Sequence, residues 1–493
     1  MATPPSNDYA MPTRLIDVGS PSQPPRLVTT SELQVAPYIT LSYCWGTSGK
    51  NLRTTKSNLD SMTEEIEWRR LPKTVQDAIT FVRALGVRYL WVDALCIVQH
   101  EFLGDEGSDW DVEALRMGQY YQHSLCTIVI AGSSDCDQGF LADRLAMKYP
   151  IQADELEIKG IDGKSRLFHS PLPSWSELID DSPLSSRGWC MQERLLSSRV
   201  LFFSRHCIFW ECVEAKTAEF LPDWDDFQDR YARARVLNAW NTDRRAELLS
   251  SETIPGLHGA WYNFVATYSK KNFTNRADGL VAVASVAGLF EERIKSAYRA
   301  GLWEDSLAFG MCWSRESTWN EVEKHAYTAP TWSWASAEGA IEYESVSGKE
   351  FDNWISNIEI LNISVTAATG DPKGRVLAGA VRIKGLMAMF CPAEGRSRSA
   401  PPQPSRYHNP FKVDWDSKAF RKLYSKEWLP VFRIGILGSQ GNVYCTVLLI
   451  LKPTGHEELG VLQYERIGII HWFAIEWEGE GSTPLREEII ELV

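Results

Sequence analysis

The chain runs to 493 residues, 44% of them hydrophobic and 23% charged, the balance of a folded globular protein long enough for two or three domains. Its formal net charge of −13 opposes any broad electrostatic grip on nucleic acid or anionic lipid, so no nucleic-acid partner is expected. No run reaches the roughly eighteen apolar residues of a spanning helix, and residues 1–10 lack the charged-then-apolar pattern of a secretory signal. These features predict no membrane span and a cytoplasmic location.

Ten cysteines are scattered without paired spacing, several inside apolar runs, as Cys96 and Cys445 are. That usage suits free thiols buried as small hydrophobes in a reducing compartment. The twenty tryptophans form neither a cluster nor a repeat and read as core.

In chain order, residues 1–10 and 19–36 are rich in Pro and Ser and read as leader and loop, with a short strand at 13–18 between them. Residues 38–45 (YITLSYCW) form a β-branched and aromatic run ending at Gly46, a buried strand meeting a loop. From Leu71 to Leu85 the apolar positions 75, 78, 79, 82 and 85 step by three and four, with Gly86 just beyond and Pro72 near the start, which predicts an amphipathic helix. Residues 89–98 (YLWVDALCIV) read as a second apolar strand, and 109–122 as a helix with a capping box at Ser108 and Asp111. Residues 125–131 (LCTIVIA) give a third strand. Alternating strands and helices with wholly apolar strands imply a parallel sheet covered on both faces, with ligands bound beyond the carboxyl ends of the strands.

Residues 150–180 read as a connecting segment, and 185–212 as a helix, a turn and two strands. Helical stretches at 257–270 and 278–295 follow, then short strands at 375–390, 442–452 and 460–477, with an exposed loop at 393–410.

Several of these strings resemble one family. Residues 38–46 (YITLSYCWG) are similar to the opening strand of the fungal heterokaryon-incompatibility (HET) domain, and 88–99 (RYLWVDALCIVQ) to its second block. The stretch from Asp109-Trp110 through Met117 and Tyr121 to Gly139 resembles the third block, and 187–196 (RGWCMQERLL) with Arg199-Val200-Leu201 the closing one. Tyr268-Ser269, Thr274, Asp278, residues 330–335 (PTWSWA) and 464–468 (YERIG) resemble strings of full-length members. Cys44 departs from the pattern where an aliphatic residue is common, and residues 100–108 lengthen the acidic segment after Gln99.

HET domains are in turn similar to the Toll/interleukin-receptor (TIR) fold. The resemblance implies a flavodoxin-like, TIR-like parallel sheet with flanking helices. With the helix-like stretches of 215–330 and the short strands from about 331 read as a helical region and a β-rich C-terminal domain, the whole is an α/β protein. The corresponding boundaries are a leader at 1–36, the HET domain at 37–214, the helical region at 215–330 and the β-rich domain at 331–493. It further implies an effector of nonself recognition that triggers programmed cell death, acting through self-association and an activating protein.

Trp189-Cys190-Met191-Gln192-Glu193 resembles the W-C-x-x-E string of TIR domains, whose glutamate serves the NAD-cleaving members. This makes Glu193 the catalytic candidate for cleaving the nicotinamide–ribose bond, with NAD as substrate and no cofactor. Such cleavage passes through an oxocarbenium-like state that one carboxylate can stabilise. The other reading pairs Glu193 with Arg187, Arg194 or Arg199. Asp93 either faces a ligand at a strand end or pairs with Arg53 or Arg88. Tyr43 and Trp45 could stack on a ring or pack in the core; Gly46 and Trp189 complete the substrate-binding candidates. Cys96 reads as inert packing. Residues 46–50 (GTSGK) fail the phosphate-loop pattern, since position 44 is Cys and Asn51 follows Lys50. His206, Cys207 and Cys212 lack zinc spacing, and no metal is predicted. The alternative to an enzyme is a scaffold working by self-association or partner binding. In either case residues 215–493 are expected to regulate the N-terminal module.

Overall fold

A computed structural model of the chain describes residues 11–99, 109–143, 155–159, 165–169, 175–213, 215–219, 249–316, 327–337, 339–343, 354–391, 411–416, 418–425, 427–438, 444–472 and 486–493. The chain divides into two units, Met1–Glu247 and Leu248–Val493. Ser108, residues 393–410 and the end of the 460–477 run lie outside the described residues, as does much of the connecting segment at 150–180.

The first unit is built on one sheet. Its strands are β1 (Arg14–Asp17), β2 (Arg26–Thr29), β3 (Tyr38–Ser42), β4 (Tyr89–Trp91), β5 (Cys126–Ile130), β8 (Arg199–Phe203), β9 (Ile208–Cys212) and β10 (Lys216–Ala218). A separate hairpin pairs β6 (Glu155–Lys159) with β7 (Ser165–His169). The sheet order is β10-β9-β8-β5-β3-β4-β1-β2. Only the inner four strands are parallel, β3 with β4 and β5, and β5 with β8; the outer pairs are antiparallel. The sheet is therefore mixed, where a parallel one was expected. Part of the difference comes from residues 19–36: they were read as loop, but contain β2, which closes one edge beside β1.

Both faces are covered, as wholly buried strands require. Helix α2 (Lys73–Ala84) buries Val75, Ala78, Ile79 and Val82, and its Phe81 meets Phe203 of β8 edge-on at 5.3 Å. Leu85, expected on that apolar face, is 54% exposed because the helix stops at Ala84 and Gly86 turns away at φ +70. Thr40 and Ser42 point to the other face. There Thr40 Oγ1 meets Thr127 Oγ1 at 2.7 Å, beside α4 (Asp109–His123) and α5 (Gly188–Leu196). A short helix α1 (Leu59–Glu64) precedes α2, and α3 (Asp93–Cys96) follows β4.

That last element corrects the expected strand at 89–98. Only Tyr89–Trp91 pairs, and the chain then turns into a helix at Asp93. A buried helical turn is as apolar as a buried strand, so the run alone does not separate them.

The second unit opens with α6 (Ile254–Tyr268), capped by Thr253, whose hydroxyl accepts the Gly256 N–H at 3.2 Å, with Pro255 in the first turn. Helix α7 (Ala284–Ile294) follows. Trp261 of α6 sits edge-on to Trp303 and Phe290, at 5.4 Å and 5.2 Å. Six long strands then form a curved sheet: Glu359–Ala367, Val376–Phe390, Leu429–Gly438, Tyr444–Glu458, Val461–Trp472 and Arg486–Leu492. The strand Val376–Phe390 pairs along one edge with Arg486–Leu492, and its far end pairs along the other with Leu429–Arg433, which closes the sheet on itself. Phe390, Val431, Leu448, Ile450, Ile467 and Ile470 fill its core.

No helix among the described residues is long and apolar enough to cross a membrane.

Candidate functional site

Sheets of this kind bind ligands where the chain reverses direction across the sheet. From β3 it passes to β4 on one side and then to β5 on the other, so the loops after β3 and β5 diverge at their carboxyl ends. Ser42 ends β3, and Asp93 opens α3 immediately beyond β4. Helix α5 runs into β8 and supplies Glu193, with Arg187 at its N-terminal cap.

These side chains meet. Ser42 Oγ donates to Glu193 Oε2 and lies 3.9 Å from Cys190 Sγ, one turn earlier on α5. Asp93 accepts the Trp45 indole N–H at 3.0 Å and the Ala94 N–H at 2.7 Å. Arg187 donates to the Tyr43 carbonyl at 2.8 Å. Tyr121 of α4 donates to the Leu41 carbonyl at 3.3 Å and faces Glu193.

Glu193 is 5% exposed, and burial pushes its carboxyl up to about 7; the Ser42 hydroxyl opposes this, the Asp93 charge adds to it and Arg187 opposes it. Burial likewise pushes Asp93 up to about 6, against the pull of Arg187, Ala94 N–H and Trp45. Burial works against the Arg187 charge, but Cys190, Glu193 and Asp93 more than offset it and raise its pKa. Two acids thus share one arginine, and burial works against ionising either of them.

The structure sorts the expected site residues. Glu193, Asp93 and Trp45 come together. Tyr43 contributes its carbonyl, while its ring is 4% exposed and its hydroxyl donates to Asn51 at 2.8 Å, so it packs rather than stacks. Trp189 packs edge-on against Trp110 of α4 at 6.0 Å, which seats α5 on α4. Gly46 has φ +74, and a Cβ there would lie 2.2 Å from Asp135 Oδ2, so the loops after β3 and β5 touch. Ser48 reinforces this with a hydrogen bond to Asp135 Oδ1 at 3.1 Å.

The arginines proposed as partners mostly serve elsewhere. Arg88 pairs with Asp17 at 2.8 Å, and Arg194 with Asp180 at 2.8 Å and Glu211 at 3.2 Å. Arg187 alone of the named arginines acts on both Glu193 and Asp93. Ser42 was missed, although the alternation of β3 carried the signal: it shares a face with Thr40, opposite Ile39 and Leu41. Cys96 is buried, and its thiol is pushed up to about 12 by burial, the behaviour of inert packing.

The second unit holds a serine, a histidine and an aspartate in sequence of contact. Ser306 Oγ lies 3.1 Å from His258 Nδ1, and His258 Nε2 lies 3.1 Å from Asp305 Oδ2. The order is inverted relative to a hydrolase, with the serine 8% exposed and the aspartate side chain 44% exposed. Ser306 also meets the Tyr262 hydroxyl at 2.8 Å, so the set ties α6 to its neighbour rather than presenting a nucleophile. Among the described residues no group of three His, Cys, Asp or Glu is placed to hold a metal ion.

Residues 38–193 match the model of the family described as Heterokaryon incompatibility protein (HET), which supports a heterokaryon-incompatibility domain spanning β3 to Glu193. Comparison with curated proteins and with solved structures gives no match.

Proposed function

We propose that the first unit is a death effector of nonself recognition, and that it works by cleaving the nicotinamide–ribose bond of NAD at a site centred on Glu193. The observation that supports this is the placement of Glu193, beside Ser42, Asp93 and Arg187 at the carboxyl ends of β3 and β4. The order of the four parallel strands, second-first-third-fourth, is that of a flavodoxin-like sheet over its first four strands, in keeping with a TIR-like core.

In the reaction the C1′–N1 bond breaks and its electron pair leaves with the ring nitrogen, so nicotinamide departs neutral without a general acid. Positive charge grows on C1′ and the ribose oxygen, and ionised Glu193 stabilises it. Water adds at C1′ and releases one proton, leaving ADP-ribose. Ser42 and Arg187 favour the ionised carboxylate, and the rate is expected to rise with pH through about 7, where Glu193 loses its proton.

A second reading has one observation in its favour: Glu193 is only 5% exposed. On that reading the carboxylate is a structural acid, and the module acts by self-association or by binding an activating partner. Nicotinamide release by the purified full chain, with NAD level and viability followed in a fungal host, separates the two. Glu193→Gln is expected to lower release by ~10²–10³ while the protein stays folded, and to rescue viability. Killing without NAD loss, unchanged by Glu193→Gln, would overturn the enzymatic reading.

A further inference from the structure

Closure of the second sheet leaves one long strand at an edge. Among the described residues Glu359–Ala367 pairs with Val376–Phe390 on one side and with no strand on the other. We propose that two copies of the chain associate along this edge, each strand pairing antiparallel with its counterpart about a twofold axis at Ser364. Alternate residues of an edge strand turn their N–H and C=O groups away from their own sheet, which makes a template for a further strand. Leu361 is 42% exposed, and Asn362, Ser364 and Thr366 are exposed too, so the edge is open to a partner.

Two features select a second copy as the occupant. The first is charge. Natural edges are commonly guarded by lysine, proline or an inward-pointing charge. Residues 360–370 contain no charged residue and no proline, in a chain that is 23% charged. Two copies of a chain with net charge −13 repel each other, so they meet at least cost where neither presents an acid. The second feature is self-complementarity. Irregularities at Ile360/Asn362 and Thr366/Ala367 leave Asn362 to Thr366 in regular register, with Ser364 at the middle. Antiparallel pairing about Ser364 sets Asn362 against Thr366, Ile363 against Val365 and Ser364 against itself, polar on polar and β-branched on β-branched. Glu359 then falls opposite Thr369, so the acid at the start of the strand does not meet its own copy. The strand at the other end of the sheet order, Trp354–Ser356, is only three residues long and offers no such register. So short a regular segment makes a weak, reversible dimer.

The register provides the test, because it opposes two exposed positions, Asn362 and Thr366. Sedimentation velocity of the full chain is expected to show a monomer–dimer equilibrium with a Kd of roughly 10 µM. Asn362→Lys combined with Thr366→Lys sets lysine against lysine at both ends of the paired segment, and weakens association at least about tenfold. Asn362→Lys combined with Thr366→Glu sets lysine against glutamate, and associates as the unaltered chain does. Both double variants unfold at the temperature of the unaltered chain, since the replaced side chains are exposed. A chain that stays monomeric up to about 200 µM overturns the proposal. So does a dimer that the two lysines leave as strong as before, or a lysine–glutamate variant as weak as the double-lysine one.

Discussion

Each unit buries a cluster of charge, and the two clusters balance differently. In the second unit Arg466 is fully buried, its guanidinium 3.4 Å from the Trp313 ring centroid and 3.3 Å from Asp416. Burial pushes Asp416 up to about 6, Arg466 and Arg315 both act to hold it ionised, and the Asp414 charge works against them. In the first unit one arginine among the described residues, Arg187, acts on both Glu193 and Asp93. An acid flanked by two arginines is held from two sides. Two acids that share one arginine are held less firmly, and burial raises both of them.

The largest expected effect tests the cluster of the second unit. Arg466→Met takes from Asp416 the nearer of its two arginines and removes the stack on Trp313, and should cost about 3–5 kcal/mol, read from hydrogen exchange of the Val461–Trp472 amides. In the first unit Arg187→Met leaves two acids without their cation. A loss of about 2–3 kcal/mol is expected at pH 8, shrinking by pH 5 as the acids take protons, and β3 and α5 amides report it.

Glu193→Gln should have the opposite sign. A carboxyl raised from 4.5 to about 7 binds more protons folded than unfolded, so its contribution is most favourable below about pH 4.5 and is lost as pH rises through about 7. The substitution is therefore expected to stabilise the first unit by about 1–3 kcal/mol at pH 8 and by almost nothing at pH 4.5, in urea titrations at the two pH values. If stability at pH 8 falls instead, the acid is as well balanced as Asp416 and the contrast fails. The smallest effect is at Gly46, where Ala meets a left-handed backbone and the Asp135 side chain; about 1 kcal/mol is expected from thermal unfolding.

The two longer helices of the first unit were legible because their burial is periodic: α2 and α4 fall where helical spacing places them. The core strands were legible as unbroken apolar runs. Where an apolar run changes from strand to helix, as at Asp93, only the charge marks the change: an aspartate suits the first turn of a helix and not the middle of a buried strand. The site was legible in part. Asp93 stood out as a charge in an apolar run and Glu193 through the resemblance of its string to W-C-x-x-E, whereas Ser42 was marked only by the alternation of β3, which sets its face apart without saying what that face meets. Nor did the sequence show which arginine serves the acids, because Arg187 and Arg194 lie on one short segment and only packing sends them to different partners. Closure of the second sheet depends on pairings between distant strands and leaves no local trace.

Ser42 and Glu193 are 151 residues apart in the chain, and the parallel order of β3, β5 and β8 is what brings them together. During synthesis Ser42 and Asp93 therefore emerge long before the carboxylate they serve. A nascent or truncated chain ending ahead of Glu193 has Ser42 and Asp93 without that acid. The cluster around Glu193 is therefore assembled only once most of the first unit has been made, and no earlier stretch of the chain can present it.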